Sequence, residues 1–220
     1  MRTAAEIYET YHIPPWLQLH QLRVAAVGKM VVESIQTPVD HDAIITACLL
    51  HDIGAIVKFD FSKNDGTMRG LLAPEDVAHW QEVQRVMRKK YGDGEHPATD
   101  AILIELGVSE SVRTIINESG LEKMQAMIAH DHVAVQILQY ADMRVAPYGV
   151  DSTHKRLEDV RERYGDRLRA AGKYDTFREH FDCARTIEER LFAGATIRPE
   201  SISDSTIAPH IETLKKYAIS

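Results

Sequence analysis

The chain has 220 residues, enough to bury one ordinary core, with 44% hydrophobic and 27% charged residues. Its net charge of -7 argues against a general nucleic-acid-binding surface. Its two cysteines, Cys48 and Cys183, form neither a disulfide framework nor a CxxC zinc knuckle, so a reducing, cytoplasmic setting is expected.

The opening stretch "MRTAAEIYETYHIPPW" carries Glu6 and Glu9 and lacks the unbroken apolar run of an export signal. Beyond it, apolar residues recur at helical spacing in nearly every segment and hairpin signals are scarce, which predicts an all-α fold. "PPWLQLHQLRVAAVGKMVVESI" starts with Pro14 and Pro15, suited to a first turn. A second helix is predicted after Pro38, with Asp40 as N-cap, running through "AIITACLLHDIGAIV" and packing antiparallel to the first. Its strongly apolar part is far too short to span a bilayer, and no membrane segment is expected. "FDFSKNDGTMRGLLA" is rich in turn formers and charge and is the best candidate for a lid.

Further helices are predicted from Pro74 to near Gly92, from His96 to Gly107, over "SESVRTIINESG", and over residues 121–147 with an interruption around His130 to His132. The last third, from Asp151, is more charged. "HKRLEDVRERYGDRLR" mixes both signs as a solvated helix face does, while residues 174–192 keep apolar spacing. Residues 1–150 are therefore expected to form a helical core, and residues 151–220 a helical extension packed on it.

His51 and Asp52 break the apolar run. On a helix both lie toward the apolar side, and an ionised carboxylate there needs a cation, strong hydrogen bonds or a raised pKa. A core histidine beside a buried salt bridge is the simpler account of this pair taken alone. His20, however, lies mid-helix in the preceding segment, and Asp142 shares a face with Val135, Leu138 and Val145. Two inward imidazoles and two inward carboxylates on three helices have one shared explanation in a divalent cation bound through nitrogen and oxygen.

His20, then His51 and Asp52, then Asp142 in "YADMRV" resemble the ordered H…HD…D signature of the HD-domain superfamily of metal-dependent phosphohydrolases. The flanks "LHQLRVA", "ACLLHDIG" and "QYADMRVAP" are similar to that family's helices, and the resemblance covers about Leu17 to Val150. It implies an HD-like helical bundle with additional C-terminal helices. It also implies His20, His51, Asp52 and Asp142 as ligands of a divalent ion (Mn, Co, Ni, Mg, Zn or Fe), and a nucleotide or small phosphate ester as substrate. Asp52 and Lys58 are the expected catalytic residues, with Lys58 otherwise read as a solvated helix-end lysine. Arg23 and Arg144 are candidates to hold phosphate, because guanidinium matches phosphate geometry; Arg144 is alternatively a buried neutraliser of Asp52 or Asp142. His96 resembles the histidine some HD proteins use for a second metal, or else acts as a helix cap.

Ala55 stands where many HD nucleotidases have Glu and many HD cyclic-dinucleotide esterases have Lys. Two other activities stay open beside hydrolysis. One is a di-iron HD-type oxygenase drawing on His96 with His130 or His132; the other is a non-catalytic metal- and nucleotide-binding module. A mononuclear site is expected. His12, His41, His79, His154, His180 and His210 are read as surface residues, and no oligomeric state is implied.

Overall fold

The computed structural model describes residues 1–61 and 72–219. The fold is all-α, with two minimal β-ribbons. After α1 (Ala4–Thr10), Pro15 opens α2 (Pro15–Ser34), its fixed φ suiting the first turn. Asp40 caps α3 (His41–Leu50), accepting from the Ala43 N–H at 3.0 Å. His20 in the second turn of α2 lies near His51 at the end of α3, and residues 35–40 link the opposite ends, so the two helices run antiparallel.

The second helix is shorter than its apolar pattern predicts. It stops at Leu50, and tighter bonds follow: Ile53 N–H to Leu50 C=O at 3.1 Å and Ala55 N–H to Asp52 C=O at 2.9 Å, leading into a 3-10 turn at Ala55–Lys58. The cause lies far along the chain. Gly54 is pressed against α5 (Glu95–Leu106), where a Cβ would stand 2.5 Å from Thr99 N and 2.9 Å from Ala98 C, and its N–H donates to Thr99 Oγ1 at 3.2 Å. Between them, Pro74–Asp76 leads into α4 (Val77–Tyr91), which ends at Gly92.

Ser109 caps α6 (Glu110–Glu118). The expected interruption follows α7 (Met124–His130), where Asp131 turns left-handed at φ 49° before α8 (Val133–Met143) begins. Residues 145–150 then form a hairpin in place of further helix, with Val145 opposite Val150. The last third contains α9 (Thr153–Arg163), α10 (Gly165–Ala170), α11 (Arg178–Phe192) and α12 (Asp204–Lys215). Arg2–Thr3 pairs antiparallel with Ala218–Ile219.

The helices α2, α3 and α8 cross at small residues. A Cβ on Gly28 of α2 would lie 2.8 Å from Cys48 Sγ of α3 and 3.9 Å from Ala141 Cβ of α8. Around that crossing Val24, Val27, Ile44, Leu49, Val135 and Leu138 are fully buried, each worth about 1.5–3 kcal/mol of apolar burial. α12 packs on α2, and α11 packs on α7, α8 and α9, so the C-terminal helices share the core.

Candidate metal centre

The C-terminal ends of α3 and α8 converge on the N-terminal part of α2. His51 is the C-cap of α3, Asp52 follows it, and Asp142 lies in the last turn of α8, so the partial negative charge of two helix ends adds to two carboxylates. His20 Nε2 lies 3.2 Å from Asp142 Oδ1 and 3.7 Å from Asp52 Oδ2. His51 Nε2 lies 3.7 Å from Asp142 Oδ1 and 3.8 Å from Asp52 Oδ2. Donors held at about 2.0–2.2 Å from one cation stand about 3–4.3 Å apart, and these separations fall in that range.

The decisive atom is His51 Nε2. Its Nδ1 lies 3.0 Å from the Cys48 carbonyl, which as acceptor fixes the ring, while Nε2 is buried with no hydrogen-bond partner. A buried ring nitrogen left unpaired beside two carboxylates suits a cation between them. His20, His51 and Asp52 have ligand atoms all within 4.8 Å of one another and can hold a metal ion.

The same carboxylates act on the titration of His51. Burial works against a charged His51, but Asp52, Asp142 and the Cys48 carbonyl outweigh it and raise the imidazole from 6.5 to about 9. Burial also opposes charge on Asp52, yet His51, Lys58 and His20 keep its pKa below the ordinary value. Asp142 is lowered further, its burial more than offset by His20 and His51.

This cluster opens into a cavity of about 710 Å³ lined by His20, Asp52, Lys58, Phe59, Asp60 and Asp142 and by residues from 121–125 and 156–180. Lys58 reaches it from the 3-10 turn and pairs with Glu95 Oε1, a residue sequence reasoning passed over. Burial opposes the Lys58 charge, but Asp52 and Glu95 raise its pKa and keep it cationic.

A family model described as HD domain matches residues 18–146. The chain belongs to the HD domain family. The HD match starts just before His20 and ends just after Asp142, so all four signature residues fall inside it and α9 to α12 lie beyond it. HD-domain proteins are mostly hydrolases. The chain matches neither a curated protein nor a solved structure.

Other sequence expectations need correction. Arg144 does not face the cavity: it is 4% exposed, and its guanidinium donates to Asp151 O, to the Tyr140 hydroxyl, to Pro199 O at 3.1 Å and to Ile202 O at 2.9 Å. It neutralises neither Asp52 nor Asp142 but ties α8 to the segment before α12. Arg23 also lies outside the cavity lining, with its Nε 3.7 Å from Asp204 Oδ1 at the start of α12. His96 is exposed in the first turn of α5 and does not line the cavity; His130 is exposed, and His132 Nδ1 sits 2.8 Å from Glu118 Oε2. Among the described residues, no second metal cluster forms around them.

His180, read as a surface residue, lines the cavity, and burial lowers its pKa. The supposedly solvated face of residues 154–169 contributes Arg156, Val160, Tyr164, Arg167 and Leu168 to the same lining. No local signal marks these residues, because charge mixing looks the same on a solvated helix and on one facing a polar cavity. Most of the lid candidate, residues 62–71, lies outside the described residues. Among the described residues no helix is long and apolar enough to cross a membrane.

Proposed function

We propose that the protein is a metal-dependent phosphohydrolase acting on a nucleotide or small phosphate ester, with His20, His51, Asp52 and Asp142 as ligands of one divalent ion. The carrying observation is the unpaired, buried Nε2 of His51, aimed at two carboxylates in a cluster that shares its cavity with a cationic lysine. A bound divalent ion supplies Lewis-acid polarisation of the phosphoryl group and acidification of water.

The chain supplies orientation and charge. The Cys48 carbonyl holds His51 with Nε2 toward the carboxylates, and burial limits competition from water. Lys58, kept protonated by Asp52 and Glu95, offers positive charge where phosphoryl oxygens become more negative during displacement. Hydrolysis forms a bond from water oxygen to phosphorus and breaks the bond to the ester oxygen, which leaves with a proton that water has released. The one such cluster found among the described residues favours a mononuclear site over a di-iron one.

The test is turnover of nucleoside monophosphates, triphosphates and cyclic dinucleotides with added Mn, Co or Ni, metal content being measured on the same sample. Turnover is expected, and Lys58→Ala should lower kcat by about 100-fold while metal content holds. Silence across the panel in verified metal-loaded protein would transfer the site to a binding module.

A further inference from the structure

Arg156, Asp159 and Arg163 stand three and four residues apart on α9 and so share one helix face. Asp159 is buried, and its Oδ2 accepts from Arg156 Nη1 at 3.2 Å and from Arg163 Nε at 2.8 Å. The side chains of Arg156 and Arg163 are only 15% and 6% exposed. Two guanidinium charges thus face one carboxylate, and a buried cation in excess is costly until an anion meets it.

That excess reaches the cavity. Arg156 lines it, and its Nε–H is buried with no acceptor. Arg167 of α10 lines it too, 5.9 Å from the centre of the Tyr164 ring and in no ion pair among the described residues. Among the described residues the other two lysine or arginine side chains of the lining are matched, Lys58 by Glu95 and Lys173 by Glu122. Of the described cavity carboxylates outside the metal cluster, Glu179 accepts from the neutral Gln125 amide at 3.0 Å, Glu122 is taken by Lys173, and Asp60 has a partner of its own.

We propose that Arg156 and Arg167 form a second anion subsite in the cavity, so that the substrate is an organic phosphate carrying a further anionic group. This rests on the phosphohydrolase reading for the scissile phosphate, which the metal cluster and Lys58 receive. The second group is a phosphate or a carboxylate, both of which guanidinium binds in a fork. Val160, Tyr164, Leu168 and Phe177 supply apolar lining for the body of the molecule. A cavity of about 710 Å³ suits a whole small organic molecule better than inorganic phosphate alone. Both arginines lie beyond the HD match, so the selectivity is carried by the C-terminal helices and not by the family signature.

The test uses phosphonates, whose carbon–phosphorus bonds persist, so that binding is read without turnover. Calorimetry on Mn-loaded protein compares methylphosphonate with terminal bisphosphonates and with phosphonocarboxylates of increasing chain length. At least one doubly anionic probe should bind about tenfold or more tighter than methylphosphonate, the worth of one charge-assisted contact. Arg156→Ala should collapse that ratio to within about twofold. This variant keeps the Arg163 contact to Asp159 Oδ2, which favours folding; Arg156→Gln serves as the second variant, and melting curves check both. Arg23→Ala, outside the cavity, should keep the wild-type ratio. Whichever probe series gains identifies the second group as phosphate or carboxylate. A flat response along both series, or a preference that survives Arg156→Ala and Arg167→Ala combined, overturns the subsite. Failure of the phosphohydrolase reading would look different: the binding preference would stand while no phosphate ester turned over.

Discussion

The ligand helices and the C-terminal helices bring opposite charge to one cavity. α2, α3 and α8 contribute two imidazoles and two carboxylates whose surplus is negative once the imidazoles are neutral, and that surface calls for a cation. α9 and α10 contribute Arg156 and Arg167, whose surplus is positive and calls for an anion. The first surface also belongs to the HD match and the second does not. On the two proposals made above, the family signature would specify where a metal is held while the selection of substrate would fall to residues outside it.

The largest expected effect tests the first surface. Asp52→Ala and Asp142→Ala should each weaken metal binding by more than the 10–100-fold that changes around a ligand shell cost, with activity falling in step. Metal analysis after dialysis checks this, and full occupancy in both variants would dissolve the distinction between the two surfaces.

Arg144 tests how they are joined. Arg144→Ala strips donors from the part-buried Pro199 carbonyl and the buried Ile202 carbonyl and should cost about 3 kcal/mol by denaturant titration. KM in the remaining folded protein should stay at the wild-type value, since the guanidinium is turned away from the cavity. A raised KM with unchanged stability would return Arg144 to the substrate.

Acidity sharpens the charge argument at the metal surface. In the metal-free protein His51 is raised from 6.5 to about 9, so its proton stabilises the fold fully below pH 6.5, and that contribution is lost as pH rises through about 9. A metal ion held by His51, as proposed, would compete with the same proton. Affinity should therefore rise with pH across this window, by up to about tenfold per unit, and level off above it. Titrations at several pH values with one metal would show the slope; a flat profile from 6.5 to 9 would deny that His51 holds a proton where the ion goes.

The smallest effect belongs to Arg23→Ala. Its contact with a half-exposed Asp204 at 3.7 Å should be worth less than about 1 kcal/mol, and KM should change less than twofold. A large loss of phosphate affinity would move Arg23 back into the site.

Four ligand candidates were legible because His20 and Asp142 fall among apolar residues at helical spacing and His51 and Asp52 interrupt an apolar run, so the polarity of each needs a reason, and such patterning is a local property of the chain. All-α architecture, the Asp40 cap and the break before His132 were legible on the same ground. What the sequence by itself left open was settled over long separations. The end of α3 depends on Gly54 meeting Thr99, the role of Arg144 on carbonyls at 199 and 202, and the place of Arg156 on α9 folding back over the ligand helices. An arginine looks the same in a string of residues whether it faces water, a carbonyl or a cavity. Only the packing of distant segments decides which, because charge acts through space and not along the chain.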